Sequence, residues 1–251
     1  MSRGITGAIV KALRIKDLTC TVTDIDVEAP ALRAIRVSCP ELIDRHRPMA
    51  GEFLHCWLPM PGHPRRQVLR PYSITDIDYT AGEFTIRVLL HLPEGPGTAW
   101  ATTVAAGDTF AAVYHGSRPF IIPTPLPEEY VLVADASGIP YVNALAPFLA
   151  ETTPVKVWLL DFQPSDHAIP LADDDDRITV EWVGPTREAL RTKAQAADWA
   201  GRYPVIVSES KLTRALRRYL LHNGLVSKEY IYVRPFWAVG HTPPVRRLVT
   251  V

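Results

Sequence analysis

Four of the nine residues from Pro119 to Pro127 are proline, in the run Pro-Phe-Ile-Ile-Pro-Thr-Pro-Leu-Pro. Each fixes φ and lacks the amide hydrogen that a helix interior or a central strand needs, so no regular element runs through this segment. The run therefore predicts an interdomain connection, with stretches of different hydrophobic grammar on either side. A chain of 251 residues suits two domains of ordinary size. Proline is abundant throughout, 23 residues or about 9%, against an ordinary share of about 5%. That excludes a simple helical bundle and favours turns and barrel corners.

Before the junction, residues 18–27, 31–37, 53–58, 72–77, 84–90 and 109–114 read as short strands, most of them bounded by Gly, Pro, Asp or Glu. This is the grammar of a small antiparallel barrel or sandwich. One short helix is predicted, over residues 98–104. After the junction, residues 130–134 form a continuous apolar run, as in a strand buried on both faces. A helical segment follows to about residue 151, then strands over 155–160, 178–183, 204–208 and 230–236, with helices over 186–200 and 211–223. In the last helix Leu212, Ala215, Leu216, Tyr219 and Leu220 form an amphipathic stripe. Ser210 is positioned to cap its start and Gly224 to close its end. The predicted fold is thus an N-terminal antiparallel β-barrel over residues 1–122, then a doubly wound parallel-sheet α/β domain over 128–251. In such a sheet, ligands bind at the carboxyl ends of the strands.

Composition removes several classes of function. Lys+Arg and Asp+Glu number 27 each, so the chain is not globally basic and no nucleic-acid partner is expected. No apolar stretch reaches the length of a membrane span. The start lacks the layout of a signal peptide. Cys20, Cys39 and Cys56 are odd in number, widely spaced and set among apolar residues. Buried free thiols in a reducing, cytoplasmic compartment are therefore expected. There is no Cys-x-x-Cys, His-Glu-x-x-His, Gly-x-Ser-x-Gly or Walker loop. The run Asp173 to Asp176 reads as a solvated loop and no metal site is predicted, because four consecutive carboxylates cannot all face one ion.

Two clusters in the first half carry chemistry. In Arg70-Pro71-Tyr72-Ser73 the guanidinium offers a permanent forked donor suited to phosphate. Tyr72 offers a flat amphipathic ring, and the Ser73 hydroxyl can meet a ring nitrogen. Arg70 and Tyr72 share a strand face, and Ser73 points to the other. The second cluster runs His91-Leu-Pro-Glu-Gly95-Pro-Gly97-Thr98-Ala-Trp100-Ala. Gly95 and Gly97 allow close backbone approach, and Thr98 is positioned to cap a helix whose first amides suit phosphate. One hairpin separates the clusters, so both can face one ligand. Read alone, each also fits an ordinary edge strand or a capped turn.

The motif Arg-x-Tyr-Ser, a strand ending in His, and Gly-Pro-x-Thr-x-Trp-Ala together resemble the siderophore-interacting proteins, FAD-containing ferric-siderophore reductases of the ferredoxin-reductase-like superfamily. The tail is similar too: Glu209, then Arg214-Ala-Leu-Arg-Arg-Tyr-Leu220, then Ile231-Tyr-Val-Arg-Pro-Phe-Trp237 and Gly240. The resemblance covers roughly residues 15 to 241. It implies that Arg70 holds the FAD pyrophosphate, Tyr72 packs along the flavin, and Ser73 lies near N5. Pro71 sits inside this cluster, where its fixed φ holds the backbone. Val88, Leu90 and His91 would line the cofactor, Gly95, Gly97 and Thr98 would meet the pyrophosphate, and Trp100 would anchor the helix. Asp135, Ser137, Glu209 and Trp237 are the corresponding candidates on the nicotinamide side. The sequence departs from the family where Gly-Asp-Glu-Thr-x-x-Pro becomes Ala134-Asp-Ala-Ser-Gly-Ile-Pro140. Ser208 also replaces a Gly before Glu209, and Phe236-Trp237-Ala238 replaces Tyr-Trp-Arg.

The leading expectation is a cytoplasmic flavoenzyme that reduces the iron of a ferric siderophore with electrons from NAD(P)H or a ferredoxin, and that uses no nucleophile or general base of its own. A basic rim would steer an anionic catecholate siderophore. The basic face of Lys211, Arg214, Arg217 and Arg218 reads as a solvated helix surface, and so do the pairs Arg65-Arg66 and Arg246-Arg247. Two alternatives stand beside the leading one: a flavin oxidoreductase acting on an organic metabolite, and a non-catalytic binding protein on a flavin scaffold.

Overall fold

The computed structural model describes residues 1–115 and 117–238. Gly240, Arg246 and Arg247 lie outside them. The chain forms two compact units, the first ending at Phe120 and the second starting at Ile121.

The first unit runs α1 (Gly4–Ala12), β1 (Leu18–Ala29), β2 (Leu32–Ser38), α2 (Pro40–His46), β3 (Phe53–Met60), β4 (His63–Asp78), β5 (Glu83–Leu89), α3 (Pro96–Ala101) and β6 (Thr109–Val113). The six strands close into an antiparallel barrel in the order β1-β2-β5-β4-β3-β6. Its interior holds Val22, Ile35, Val37, Leu54, Leu58, Ile74, Phe84 and Ile86, all essentially inaccessible to water. Cys20, Cys39 and Cys56 belong to the same cluster as buried, unpaired thiols, as their apolar neighbours predicted.

Three local expectations need correction. Two further helices, α1 and α2, accompany the predicted one; α2 packs only Leu42 and Ile43 inward, too short a stripe to show as periodicity. The β4 strand begins at His63, nine residues before the predicted start, because its first arm is an exposed polar hairpin that leaves no apolar alternation. The predicted 98–104 helix occupies Pro96–Ala101, with Pro96 in its first turn. Pro71 is tolerated mid-strand because it pairs only with His55 of β3, and β5 joins β4 from Ile74 onward.

The second unit runs β7 (Glu129–Asp135), α4 (Ile139–Ala150), β8 (Val155–Leu160), β9 (Ile178–Val183), α5 (Arg187–Ala196), β10 (Arg202–Val207), α6 (Ser210–His222) and β11 (Tyr232–Val233). All pairings are parallel, in the order β11-β10-β7-β8-β9. From β7 the chain winds outward through β8 and β9, then returns to β10 and β11. The switch point thus lies between β7 and β10. The apolar run predicted to be buried on both faces is that central strand, and Tyr130 to Ala134 are all 0% exposed. The last strand is shorter than the predicted 230–236. Pro235 interrupts it, although Arg234 N–H still donates to Ile206 O at 2.9 Å and Phe236 N–H to Ser208 O at 3.0 Å. Of the proline-rich junction, Pro125 O accepts from Tyr230 Oη at 3.1 Å. No helix among the described residues is long and apolar enough to cross a membrane.

Candidate functional site

The Arg70–Ser73 cluster lies on β4 opposite β3, in the register Cys56↔Arg70, His55↔Pro71, Leu54↔Tyr72 and Phe53↔Ser73. Arg70 is half-buried. Its Nη1 donates to the adjacent Leu69 carbonyl at 2.9 Å, and it forms no ion pair among the described residues. Burial holds its pKa below the ordinary arginine value. A desolvated guanidinium with no carboxylate beside it is costly unless an anion meets it, so its chemistry fits a phosphate-bearing cofactor.

Tyr72 packs against the barrel core, and burial raises its phenol pKa well above the usual range. Its hydroxyl reaches the start of α3. A Cβ added at Gly97 would lie 2.2 Å from Tyr72 Oη and 3.7 Å from Val88 Cγ1, so only glycine lets that backbone sit against the phenol. At Gly95 a Cβ would come 3.2 Å from the His91 ring. The first amide used inside α3 is Ala99 N–H, bonded to Gly95 O at 2.9 Å; the Gly97 and Thr98 amides precede it and have no intrahelical acceptor. The fold therefore brings Tyr72, Val88 and Gly97 together, and separately His91, Gly95 and Thr98.

Thr98 does not cap α3. The cap is Gly95, without a side-chain bond, and Thr98 Oγ1 instead accepts from His91 N–H at 3.2 Å. It is the third helical residue rather than the residue before the helix, because Pro96 starts the helix two residues early. Thr98 thereby ties the end of β5 to α3. Leu90 packs on the barrel core, and its N–H donates to Ala31 O at 2.7 Å. Trp100 is buried edge-on to Phe110, with ring centroids 5.2 Å apart, and so anchors the helix to β6. Ser73 sits opposite Phe53, off the face that carries Tyr72. Sequence reading missed Glu52, which is 4% exposed. It accepts from Tyr114 Oη at 2.7 Å, and its carbonyl accepts from Ile74 N–H at 2.7 Å, one residue beyond Ser73. A lone carboxylate in a turn carries no sequence signal of burial.

In the second unit, Asp135, Ser137, Glu209 and Trp237 form one hydrogen-bonded group at the switch point, where β7 and β10 end side by side. Asp135 Oδ1 accepts from Ser137 N–H at 2.9 Å and from Ser137 Oγ at 2.5 Å. Asp135 Oδ2 accepts from Glu209 N–H at 2.7 Å and from Trp237 Nε1 at 2.8 Å. Burial raises the Asp135 pKa even though all four donors oppose that shift. Glu209, not Ser210, caps α6: its Oε2 accepts from Lys211 N–H at 2.5 Å and Leu212 N–H at 3.0 Å. The longer glutamate side chain reaches both amides from one residue earlier. Glu209 Oε1 is buried with no hydrogen-bond partner among the described residues. Phe162, another residue missed from sequence, lies edge-on to Trp237 with centroids 5.9 Å apart, and both rings are partly exposed.

The model of the siderophore-interacting FAD-binding domain matches residues 57–114, and that of the siderophore-interacting protein matches residues 127–240. The mycobactin import ATP-binding/permease protein IrtA of Mycolicibacterium smegmatis is 28% identical over 250 residues, 98% of this chain and 29% of that protein. IrtA of Mycobacterium tuberculosis is 29% identical over 249 residues, with the same two coverages of 98% and 29%. The chain thus spans less than a third of the length of these curated relatives. Among solved structures, a siderophore utilization protein from T. fusca superposes with a TM-score of 0.75 at 20% identity, covering 91% of this chain and 95% of its own. The siderophore-interacting protein SipS from Aeromonas hydrophila gives 0.68 at 24%, covering 91% and 94%. A ferredoxin NADP+ reductase from Neisseria gonorrhoeae gives 0.68 at 17%, covering 88% and 99%. These likenesses establish the ferredoxin-reductase-like fold. The two family models together cover about two thirds of the sequence, one in each unit, and the chain belongs to the siderophore-interacting protein family.

Proposed function

We propose that the chain is an FAD-dependent oxidoreductase that reduces the iron of a ferric siderophore with electrons from NAD(P)H. The observation that carries this reading is Arg70, a half-buried guanidinium without a carboxylate partner among the described residues, two residues along the strand from a tyrosine that meets the glycine-built start of α3. In this reading Arg70 and the Gly97 and Thr98 amides hold the cofactor pyrophosphate. Tyr72 orients the ring system, and Ser73 offers a hydroxyl to its nitrogen edge. Val88, Leu90, His91, Gly95 and Trp100 shape and brace that cradle. Bound FAD supplies hydride acceptance and one-electron donation; the chain supplies binding, orientation and exclusion of water. Asp135, Ser137, Glu209 and Trp237 would form the face toward the electron donor. The family and the mycobactin-import relatives support a siderophore as the iron carrier.

The test is a purified sample and its spectrum. The expected result is a yellow protein whose flavin is bleached anaerobically by NADH or NADPH and restored by a ferric siderophore. A colourless protein that takes up no FAD overturns the cofactor assignment. Flavin that is reduced but not reoxidised by any ferric chelate overturns the substrate assignment and leaves an organic electron acceptor. One observation favours a second donor: the Asp135 oxygens and the Ser137 hydroxyl are already engaged with protein groups. A reduced ferredoxin therefore belongs in the same experiment. Bleaching by ferredoxin, with neither nucleotide effective, would assign the donor to that class. A cytoplasmic location follows from this chemistry and is checked by fractionation.

A further inference from the structure

The barrel core carries three thiols that the flavin chemistry does not use, and the strand register sorts them. Thr21 of β1 faces Ser38, the last residue of β2, so Cys20 and Cys39 are the residues immediately beyond the last registered pair. Gly107 N–H bonds Val22 O at 2.8 Å and Val22 N–H bonds Asp108 O at 2.9 Å, so the backbone groups of Val22 point toward β6. Those of Cys20, two residues earlier, point the same way. Cys39 N–H points in the opposite direction, to Gly82 O at 2.9 Å. Neither cysteine spends a backbone bond on the other, which makes them a non-hydrogen-bonded cross-strand pair. In such a pair the Cα atoms approach to about 4.5 Å with both side chains on one face. That separation lies inside the range of about 4.4–6.8 Å a disulfide spans. Both residues are 0% exposed and belong to one core cluster, as the shared inward face requires. Cys56 shares that core cluster but sits on β3, opposite Arg70 and Ala112, outside the cross-strand pair.

We infer that Cys20 and Cys39 form a reversible redox pair that closes to a disulfide under peroxide, with Cys56 left as a free thiol. Cys39 sulfur attacks one peroxide oxygen; an S–O bond forms, the O–O bond breaks, and the departing hydroxide takes a proton to leave as water. Cys20 sulfur then attacks Cys39 sulfur; the S–S bond forms, the S–O bond breaks, and the thiol proton leaves with the second water. Two electrons pass from the two thiols to one peroxide. The hydrogen bond between the two thiols raises the Cys20 pKa and lowers that of Cys39, and the same disulfide and two waters result whichever sulfur attacks first. Full burial sets the rate: oxidation proceeds on local openings of the start of β1.

The full chain, purified under reducing conditions, is treated with hydrogen peroxide, quenched, denatured and alkylated. The expected product carries one alkyl group, on Cys56, and peptide mapping finds Cys20 joined to Cys39. Dithiothreitol before alkylation restores three labels. Cys39→Ser is expected to carry two labels with or without peroxide. Because that variant replaces a core residue, the peptide map of the unmodified chain stands as the deciding measurement. Three labels after peroxide, a bridge that includes Cys56, or a Cys39 carried on to the sulfinic acid would each overturn the inference.

Discussion

The two candidate clusters differ in what their polar groups are left to do. In the barrel, Arg70 spends one bond on its neighbour's carbonyl, and the amides of Gly97 and Thr98 lie ahead of the first helical bond. In the sheet, Asp135 accepts four hydrogen bonds, all from residues of the same unit. Buried polar capacity that the protein itself leaves unmatched points to an external partner, whereas a saturated group is first of all a brace. Glu209 combines both characters, with one oxygen capping α6 and the other unmatched.

Removing the barrel cation tests the contrast most sharply. Arg70→Ala is expected to weaken FAD binding roughly 10- to 100-fold, the worth of hydrogen bonds to a charged group, while the melting temperature of the flavin-free protein changes little. Flavin titration by fluorescence quenching checks it, and an Ala variant that retains FAD at parental affinity would break the contrast. Gly97→Ala comes next. Its Cβ must displace the Tyr72 hydroxyl, at a cost of about 1–3 kcal/mol in stability with accompanying flavin loss. Partial recovery in Gly97→Ala/Tyr72→Phe, measured by denaturant unfolding, would assign the effect to that overlap. In the sheet the effects should fall on the fold. Glu209→Ala is expected to cost about 1 kcal/mol through the lost cap and to leave FAD affinity unchanged. A fall in FAD affinity without a fall in stability would reverse the assignment.

The smallest effect concerns pH. Because burial raises the Asp135 pKa above its ordinary 3.8, the folded state holds that proton more tightly than the unfolded chain. Its stabilising contribution is complete below 3.8 and is lost as pH rises through the raised folded value. Thermal melts of the parent and of Asp135→Asn should therefore diverge, the parent gaining relative to the variant as pH falls from neutral. Parallel curves would show that Asp135 titrates alike in both states.

What the sequence made legible follows from how local each signal is. The buried run of β7 and the stripe of α6 stood out because periodicity is written in adjacent residues. The resemblance singled out Arg70, Tyr72, Gly97, Asp135 and Glu209 as candidates by motif, but it gave no sign that Asp135, Glu209 and Trp237 share hydrogen bonds across 74 and 102 positions of sequence. Caps were misread by one to three residues, at Thr98 and Ser210, because a helix start depends on backbone angles that several neighbouring polar residues can accommodate. Glu52 and Phe162 carried no motif; their roles arise only from which strands the topology sets side by side.

The hydrogen bond from the Trp237 indole to Asp135 also makes the protein its own optical probe. Indole emission responds to a nearby charge, and this ring donates directly to the carboxyl group whose pKa burial raises. The share of the fluorescence lost in Trp237→Phe should therefore follow the ionisation of Asp135, so that the charge at the carboxyl end of the central strand can be followed in real time without a label.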